Sequence, residues 1–358
     1  MRPLTTSAAL PSAARNILVL YHSRGLNGED VAVSGAISVP RGAPPAGGWP
    51  VITWTHGTTG LVAACAPSRD TPKGPEHVSL SQKQALLDTY VKRGYAVVAT
   101  DYQGLGGPGL HPFLQGVIAG HNAIDIIRAA RQADQVIGTR YVVMGHSQGG
   151  HANLFAAALG PKYAPELNLL GNVAFAPASH IDETLTSMLL ATSPSLRLGY
   201  SMYVLQSFAS NHPTINLSRL LSQSAMENLP LTQEQCVTAT LSSGYWATAV
   251  PQQQFLKDPE LSGVLKVAVS NDPGALQIEA PTFIAQGSAD ETVLPSWTDD
   301  VAQRLCENGT PIEYAVYAGA DHETVVDQAA AKAQRWIDAR FAGQEAINSC
   351  WQLPRARQ

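Results

Sequence analysis

Gly145-His146-Ser147-Gln148-Gly149-Gly150 follows an apolar run at 141–144 and precedes a helical pattern over 151–159. The order is strand, sharp turn, helix. A serine at such a turn is lifted off its own backbone, and the first N–H groups of the next helix face the charge that forms when a carbonyl is attacked. Gly145 and Gly149 leave room for strand and helix to pack close. In a chain with 30 glycines, Gly-x-Ser-x-Gly alone could be an idle turn. The flanking strand and helix make it read as a nucleophile elbow with Ser147 as the nucleophile.

Outward from the elbow, the chain alternates strand and helix patterns. Residues 16–21 and 30–38 alternate apolar and polar positions around an Asn27-Gly28 turn, as antiparallel opening strands would. Residues 51–55 form a buried strand that leads into His56-Gly57-Thr58-Thr59-Gly60, a loop small enough to turn its N–H groups inward. A helix over 81–93, carrying Leu86, Leu87, Tyr90 and Val91, stops at Gly94. The strand at 95–100 opens into Asp101-Tyr102-Gln103-Gly104-Leu105-Gly106, at the strand end where ligands of open α/β sheets are usually met. A helix over 113–133, with Val117, Ile124 and Ile127 facing in, returns to the elbow strand. This alternation predicts a parallel sheet with right-handed crossovers.

After a strand at 172–176 the pattern changes. Residues 179–274 contain no clean strand but many helix-like segments rich in Leu, Met and Tyr, such as 185–190 and 199–208. They read as a helical lid over the carboxyl edge of the sheet, with a separate helical domain or a partner-binding surface as the alternative. Met188, Leu190, Tyr200, Met202, Tyr203, Phe208, Tyr245 and Trp246 exceed what a cover needs for its own packing, so some are expected to face a pocket above Ser147. The sheet resumes at 281–286, and a helix over 295–308 ends at Gly309. The last strand is at 312–317, followed by a closing helix over 325–341 with Val326, Ala330, Trp336 and Ile337 inward. The expected organisation is an α/β core over 14–178 and 275–350 with the insertion 179–274.

A serine hydroxyl needs a base, and the base needs an acid to fix its tautomer. Asp290 follows the penultimate strand and His322 the last one, so both fall on the same sheet edge as Ser147. Among the ten histidines, His22, His77 and His212 lie before the sheet or in the insertion, and His56 and His146 sit in motif turns. Among acids, Asp299 and Asp300 fall within a helix, Glu291 and Asp321 adjoin better candidates, and Asp101 is on an earlier strand. The oxyanion requires two N–H donors, each worth about 3 kcal/mol. These are expected from Gln148 and most simply Thr58, with Thr59 as the alternative.

The 358 residues, 45% hydrophobic and 14% charged, suit a compact globular protein rather than a disordered one. A net charge of −5 without runs of Lys or Arg offers no footprint for nucleic acid or an anionic membrane. No apolar run is long enough to span a bilayer. Cys65, Cys236, Cys306 and Cys350 are far apart and without metal-ligand spacing, which disfavours zinc. They fit either two disulfides in an exported protein or four buried thiols. Residues 1–14 make a poor signal peptide, so an exported protein would have lost its leader.

Trp54-Thr55-His56-Gly57-Thr58, Asp101-Tyr102-x-Gly104-Leu105-Gly106, Gly145-His146-Ser147-Gln148-Gly149-Gly150, Gly287-x-x-Asp290 and Asp321-His322 together closely resemble the secretory lipase family (lipase A type) of α/β hydrolases, over about 14–350. The resemblance implies an α/β-hydrolase fold: a mostly parallel sheet with antiparallel N-terminal strands, helices on both faces and a helical lid after the sixth strand. It also implies a secreted esterase or lipase with Cys65 paired to Cys236 and Cys306 to Cys350. The expected activity is hydrolysis of short- to medium-chain acyl esters, small or lipidic, through an acyl-enzyme, with no cofactor, metal, nucleic acid or stable membrane insertion. A peptidase, amidase or acyltransferase with the same triad is the nearest alternative, and a non-catalytic binding protein of the same fold a more distant one. A haloalkane dehalogenase would want Asp in place of Ser147.

Overall fold

The computed structural model describes residues 1–353. A single nine-stranded sheet has the order β1-β2-β3-β5-β4-β6-β7-β8-β9. Its strands are β1 (Arg2–Pro3), β2 (Arg15–Arg24), β3 (Asp30–Val39), β4 (Trp49–Thr55), β5 (Ala96–Thr100), β6 (Ile137–His146), β7 (Asn168–Phe175), β8 (Thr282–Gly287) and β9 (Ile312–Tyr317). The opening strands pair antiparallel, and β3 joins β5 antiparallel. From β4 to β9 all pairing is parallel. The sequence reading missed β1, so the strand expected sixth is the seventh. Two residues carry no periodicity to detect.

Side chains of the central strands alternate between two cores. Val51, Val98, Tyr141, Val143, Ala174 and Ile284 pack on one face, and Ile52, Val97, Val142, Met144, Val173 and Phe283 on the other. Helices α2 (Gly116–Ala133) and α3 (Gln148–Tyr163) cover the first face. Helix α1 (His77–Lys92) covers the second through Leu87, Tyr90 and Val91. Both faces being covered explains why these strands are apolar along their whole length. The helix expected to begin at residue 113 begins at Gly116, because Leu114 adopts φ 54° and breaks the helical path. That start leaves Val117 40% exposed, not inward, while Ile124 and Ile127 are fully buried.

Between β7 and β8 the chain forms α4 (Ile181–Met188), α5 (Leu196–Asn211), α6 (Gln223–Asn228), α7 (Leu231–Glu234), α8 (Val237–Ser242), α9 (Tyr245–Thr248) and α10 (Ser262–Ser270). These helices share a core of their own, joined to the body through Leu61, Phe113 and Leu114. The insertion is tied down at two further points. Asn271 accepts the Gly116 N–H at 2.8 Å through its side chain, and its carbonyl meets His151 Nε2 at 2.8 Å. Cys65 and Cys236 form a disulfide linking the loop after β4 to the start of α8.

The chain closes with α11 (Pro295–Glu307) on the first face and α12 (Thr324–Phe341) on the second. In α12 Val326, Trp336 and Ile337 are buried, as the spacing predicts, but Ala329 and Ala333 face the sheet in place of Ala330. Cys306 and Cys350 form the second disulfide. By loop entropy the two bridges contribute up to about 5 and 4 kcal/mol, the longer loop giving the larger figure.

Candidate active site

Thr58, Ser147, Asp290 and His322 follow the carboxyl ends of β4, β6, β8 and β9, so the parallel register brings four loops to one edge. Ser147 sits at φ 58° and ψ −120°, a conformation that costs about 1–3 kcal/mol for a residue with a side chain. It is held there on both sides. Its N–H donates to the Phe175 carbonyl at 2.9 Å, and its own carbonyl accepts from Ala178 at 3.0 Å and His151 at 3.0 Å. The turn also demands close approach: a Cβ on Gly149 would lie 1.9 Å from the Thr55 carbonyl oxygen, and one on Gly145 would lie 2.1 Å from Thr55 Oγ1.

His322 bridges serine and acid. Its Nε2 is 2.9 Å from Ser147 Oγ and its Nδ1 is 2.8 Å from Asp290 Oδ2. Asp290 is buried, and its other oxygen accepts the N–H groups of Thr292 and Val293, each at 2.9 Å. Gln286 Nε2 donates to Oδ2 at 3.1 Å. Burial alone would raise the Asp290 pKa, but the hydrogen bond and charge of His322, with the Val293 and Gln286 donors, outweigh it and hold the carboxyl below its ordinary range. Asp290 therefore stays ionised and keeps the imidazole proton on Nδ1, leaving Nε2 to accept from the serine.

Four of the competing acids are engaged elsewhere, and Glu291 is exposed. Asp321 is exposed and accepts from Thr324 N–H, Thr324 Oγ1 and Glu323 N–H at the start of α12. The Thr324 hydrogen bonds hold its pKa below the usual range. Asp299 accepts from the Tyr314 hydroxyl, and Asp300 pairs with His180 and Arg304. Asp101, on the loop expected to meet a ligand, is instead a buried strut bonded by Ser34 and Ser68.

The N–H groups of Thr58 and Gln148 have no acceptor among the described residues, and both residues line the space at Ser147. Two residues the sequence reading passed over hold these donors. The Tyr102 hydroxyl donates to the His56 carbonyl at 3.0 Å, fixing the Thr58 loop from below. Gln148 Nε2 donates to His111 Nε2 at 2.6 Å, while His111 Nδ1 donates to the Gln103 carbonyl at 2.9 Å. Burial pushes the His111 pKa down to about 3, so the ring is neutral and its Nε2 can accept.

A cavity of about 540 Å³, counting its open mouth, lies above Ser147. Its apolar wall comes from Phe113, Leu114, Ile181, Leu185, Val204 and Trp297. Of the eight insertion residues among which some were expected to face it, Tyr200 does. Met188, Met202, Tyr203, Phe208 and Trp246 fill the core of the insertion, with Tyr245 packed against them, and Leu190 is 78% exposed. Most large side chains of the insertion are consumed in the core that holds its helices together.

Among the described residues, His146, His322 and Glu323 place three metal-ligating atoms within 4.8 Å of one another. Both ring nitrogens of His322 are hydrogen-bonded, His146 Nε2 donates to the His322 carbonyl at 2.7 Å, and Glu323 pairs with Lys83 at 3.1 Å. These contacts account for the cluster.

Sheet, elbow and inserted helices define an α/β hydrolase of the lipase-like class. A solved structure of Candida antarctica lipase A superimposes with a TM-score of 0.84 at 19% identity, over 100% of this chain and 84% of that one. The secretory lipase family model matches residues 75–349, and the chain belongs to that family. Lipase 1 of Candida albicans is 27% identical over 93% of this chain and 73% of its own length. A Mycobacterium tuberculosis protein named probable inactive lipase MT1628 is 24% identical over 93% of this chain and 75% of its own.

The buried histidines generate a pH prediction. Burial lowers His111 and His146 to about 3 and His151 to about 4. Above pH ~6.5 all three are neutral in both states. Below it the unfolded chain binds protons that the fold refuses, so stability must fall as pH drops towards the folded values, by up to about 1.4 kcal/mol per pH unit for each group. Urea unfolding at pH 7.5, 6 and 5 should show this decline before carboxylates titrate. Constant stability over that interval would contradict the assigned neutral state.

Proposed function

We propose that the protein is a serine carboxylic ester hydrolase, working through an acyl-enzyme with Ser147 as nucleophile, His322 as general base and acid, and Asp290 as the orienting carboxylate. The observation that carries this reading is the continuous line from Ser147 Oγ through His322 to a buried, ionised Asp290. His322 Nε2 takes the serine proton as Oγ attacks the ester carbon. The oxyanion moves towards the N–H groups of Thr58 and of Gln148, the latter at the start of α3, where the helix dipole adds to its effect. The proton then passes to the leaving alkoxide, and water repeats the sequence on the acyl-enzyme.

Insertion 179–274 acts as a lid over core 14–178 and 275–350, and its α4 and α5 provide one wall of the acyl pocket. The reading of a secreted protein draws on the family and on the two disulfides. A non-catalytic role, suggested by the name of one relative, is disfavoured because nucleophile, base and acid are all in place. The peptidase, amidase and acyltransferase readings share the same site geometry.

Asp290→Asn should lower kcat by up to about 10⁴-fold, because the amide favours the wrong tautomer of His322, whereas Asp321→Asn should cost little. Steady-state kinetics of both variants decide between the two aspartates, and the reverse order would assign the acid to Asp321.

Each methylene buried in the cavity is worth about 0.8 kcal/mol, so kcat/KM should rise several-fold per acyl carbon until the space is filled. Across p-nitrophenyl esters from acetate to palmitate the optimum should lie above acetate, at short to medium length, with matched amides far slower. Thr184→Trp, which adds bulk at the cavity wall, should move that optimum to shorter chains. An optimum at acetate, or one unmoved by Thr184→Trp, would remove the lid from acyl recognition, and faster amides would favour the amidase reading.

A further inference from the structure

Ser147 is reached from two sides. The cavity beneath α4 and α5 has Ser147, Gln148 and Val293 in its wall but not His322. A second cavity, about 470 Å³ with its mouth, is walled by Ser147, His322, Lys83, Glu76, His146 and Glu323. Thr58 and Tyr200 border both. When the tetrahedral intermediate collapses, the bond between the acyl carbon and the alcohol oxygen breaks, and that oxygen takes the proton from His322 Nε2. The alcohol must therefore lie on the side of the serine that faces His322. Given the ester hydrolase reading, on which this rests, the second cavity receives the alcohol and the first the acyl chain.

The chemistry of the second cavity is polar. The Lys83 side chain is 8% exposed, and its ammonium has one charged neighbour, Glu323 Oε2 at 3.1 Å. Among the described residues Nζ has no partner beyond this ion pair. An ammonium carries three donors, and leaving two of them unmatched in a buried position is costly. Glu76 is spoken for, its oxygens accepting Thr238 N–H at 2.9 Å and Thr238 Oγ1 at 2.7 Å. The Glu323 side chain is 53% exposed, and Ser79 beside it is also exposed, so the mouth opens there. Lys83 thus offers donors and Glu323 an acceptor, a combination that suits hydroxyl groups, which both donate and accept. A phosphate or carboxylate head would be set against Glu323 and Glu76.

We infer that this cavity selects esters of polyhydric alcohols bearing free hydroxyl groups, with Lys83 as the residue that reads them. A site built to bond a hydroxyl discriminates strongly against the analogue that lacks it, because its own polar groups are then left unpaired.

The test compares 1-glyceryl butyrate with propyl butyrate. Both esters yield the same butyryl-enzyme, so the ratio of their kcat/KM values reports the alcohol alone. The wild type should favour the glyceryl ester by roughly tenfold or more, the loss expected for one hydrogen bond to a charged donor, and Lys83→Met should bring the ratio near one. Lys83→Arg should retain part of the preference. A 6-O-butyryl glucoside separates a small polyol from a sugar head, and preference for either over propyl supports the assignment. Should Lys83→Met fail to fold, wild-type enzyme given vinyl butyrate and equal glycerol and 1-propanol should form mainly the glyceryl ester. A wild-type ratio near one, or a ratio unchanged in Lys83→Met, overturns the inference while leaving ester hydrolysis intact. Failure of the wild type to cleave any of these esters would instead remove the reading beneath it.

Discussion

The structure turns on the contact between Gly149 and the end of β4. A Cβ there would stand 1.9 Å from the Thr55 carbonyl oxygen, so α3 can start directly behind β6 only with glycine at that point. That close approach lets Ser147 occupy a backbone conformation a side chain ordinarily avoids, and it aims the helix N-terminus at the space above the serine. The hydrogen bond that Ser147 N–H donates to the Phe175 carbonyl, and those its own carbonyl accepts from Ala178 and His151, oppose the strain. The tightest packing and the candidate nucleophile therefore share one turn. Everything else at the site is arranged relative to it: Asp290 and His322 follow the strands two and three places along the sheet, and Thr58 follows the neighbouring strand.

Most of the scaffold was legible because parallel strands buried on both faces are continuous apolar runs with strong stop signals. Gly94 and Gly309, both at positive φ, end helices where the sequence places the stops. The strand at 312–317 has the predicted bounds. The candidate site was readable for a related reason: residues just after strand ends are forced to one edge whatever the details of packing. Position favours Asp290 over Asp321, and in the structure Asp290 lies against His322 while Asp321 is engaged at the start of α12.

The insertion was less legible. Met202, Tyr203 and Phe208 are large apolar residues on one helix, and helical spacing cannot tell a face turned to a cavity from one turned to other helices. The structure buries them in the core of the insertion, while Ile181, Leu185 and Val204 line the pocket. Lys83 was invisible for the opposite reason. A lysine on an amphipathic helix reads as a solvent face, and nothing local reveals that α1 carries it under the site. His111 and Tyr102 were also missed, because their roles depend on contacts with Gln148 and His56, 37 and 46 residues away in sequence.

The central claim is that Ser147 is a nucleophile activated by His322. A fluorophosphonate probe followed by peptide mapping tests it directly, because the reagent reacts with a serine only where a base and an oxyanion site activate it. The account predicts a single adduct on Ser147, abolished in Ser147→Ala and strongly slowed in His322→Gln. Labelling of a different serine, or none in protein shown to be folded, would contradict it.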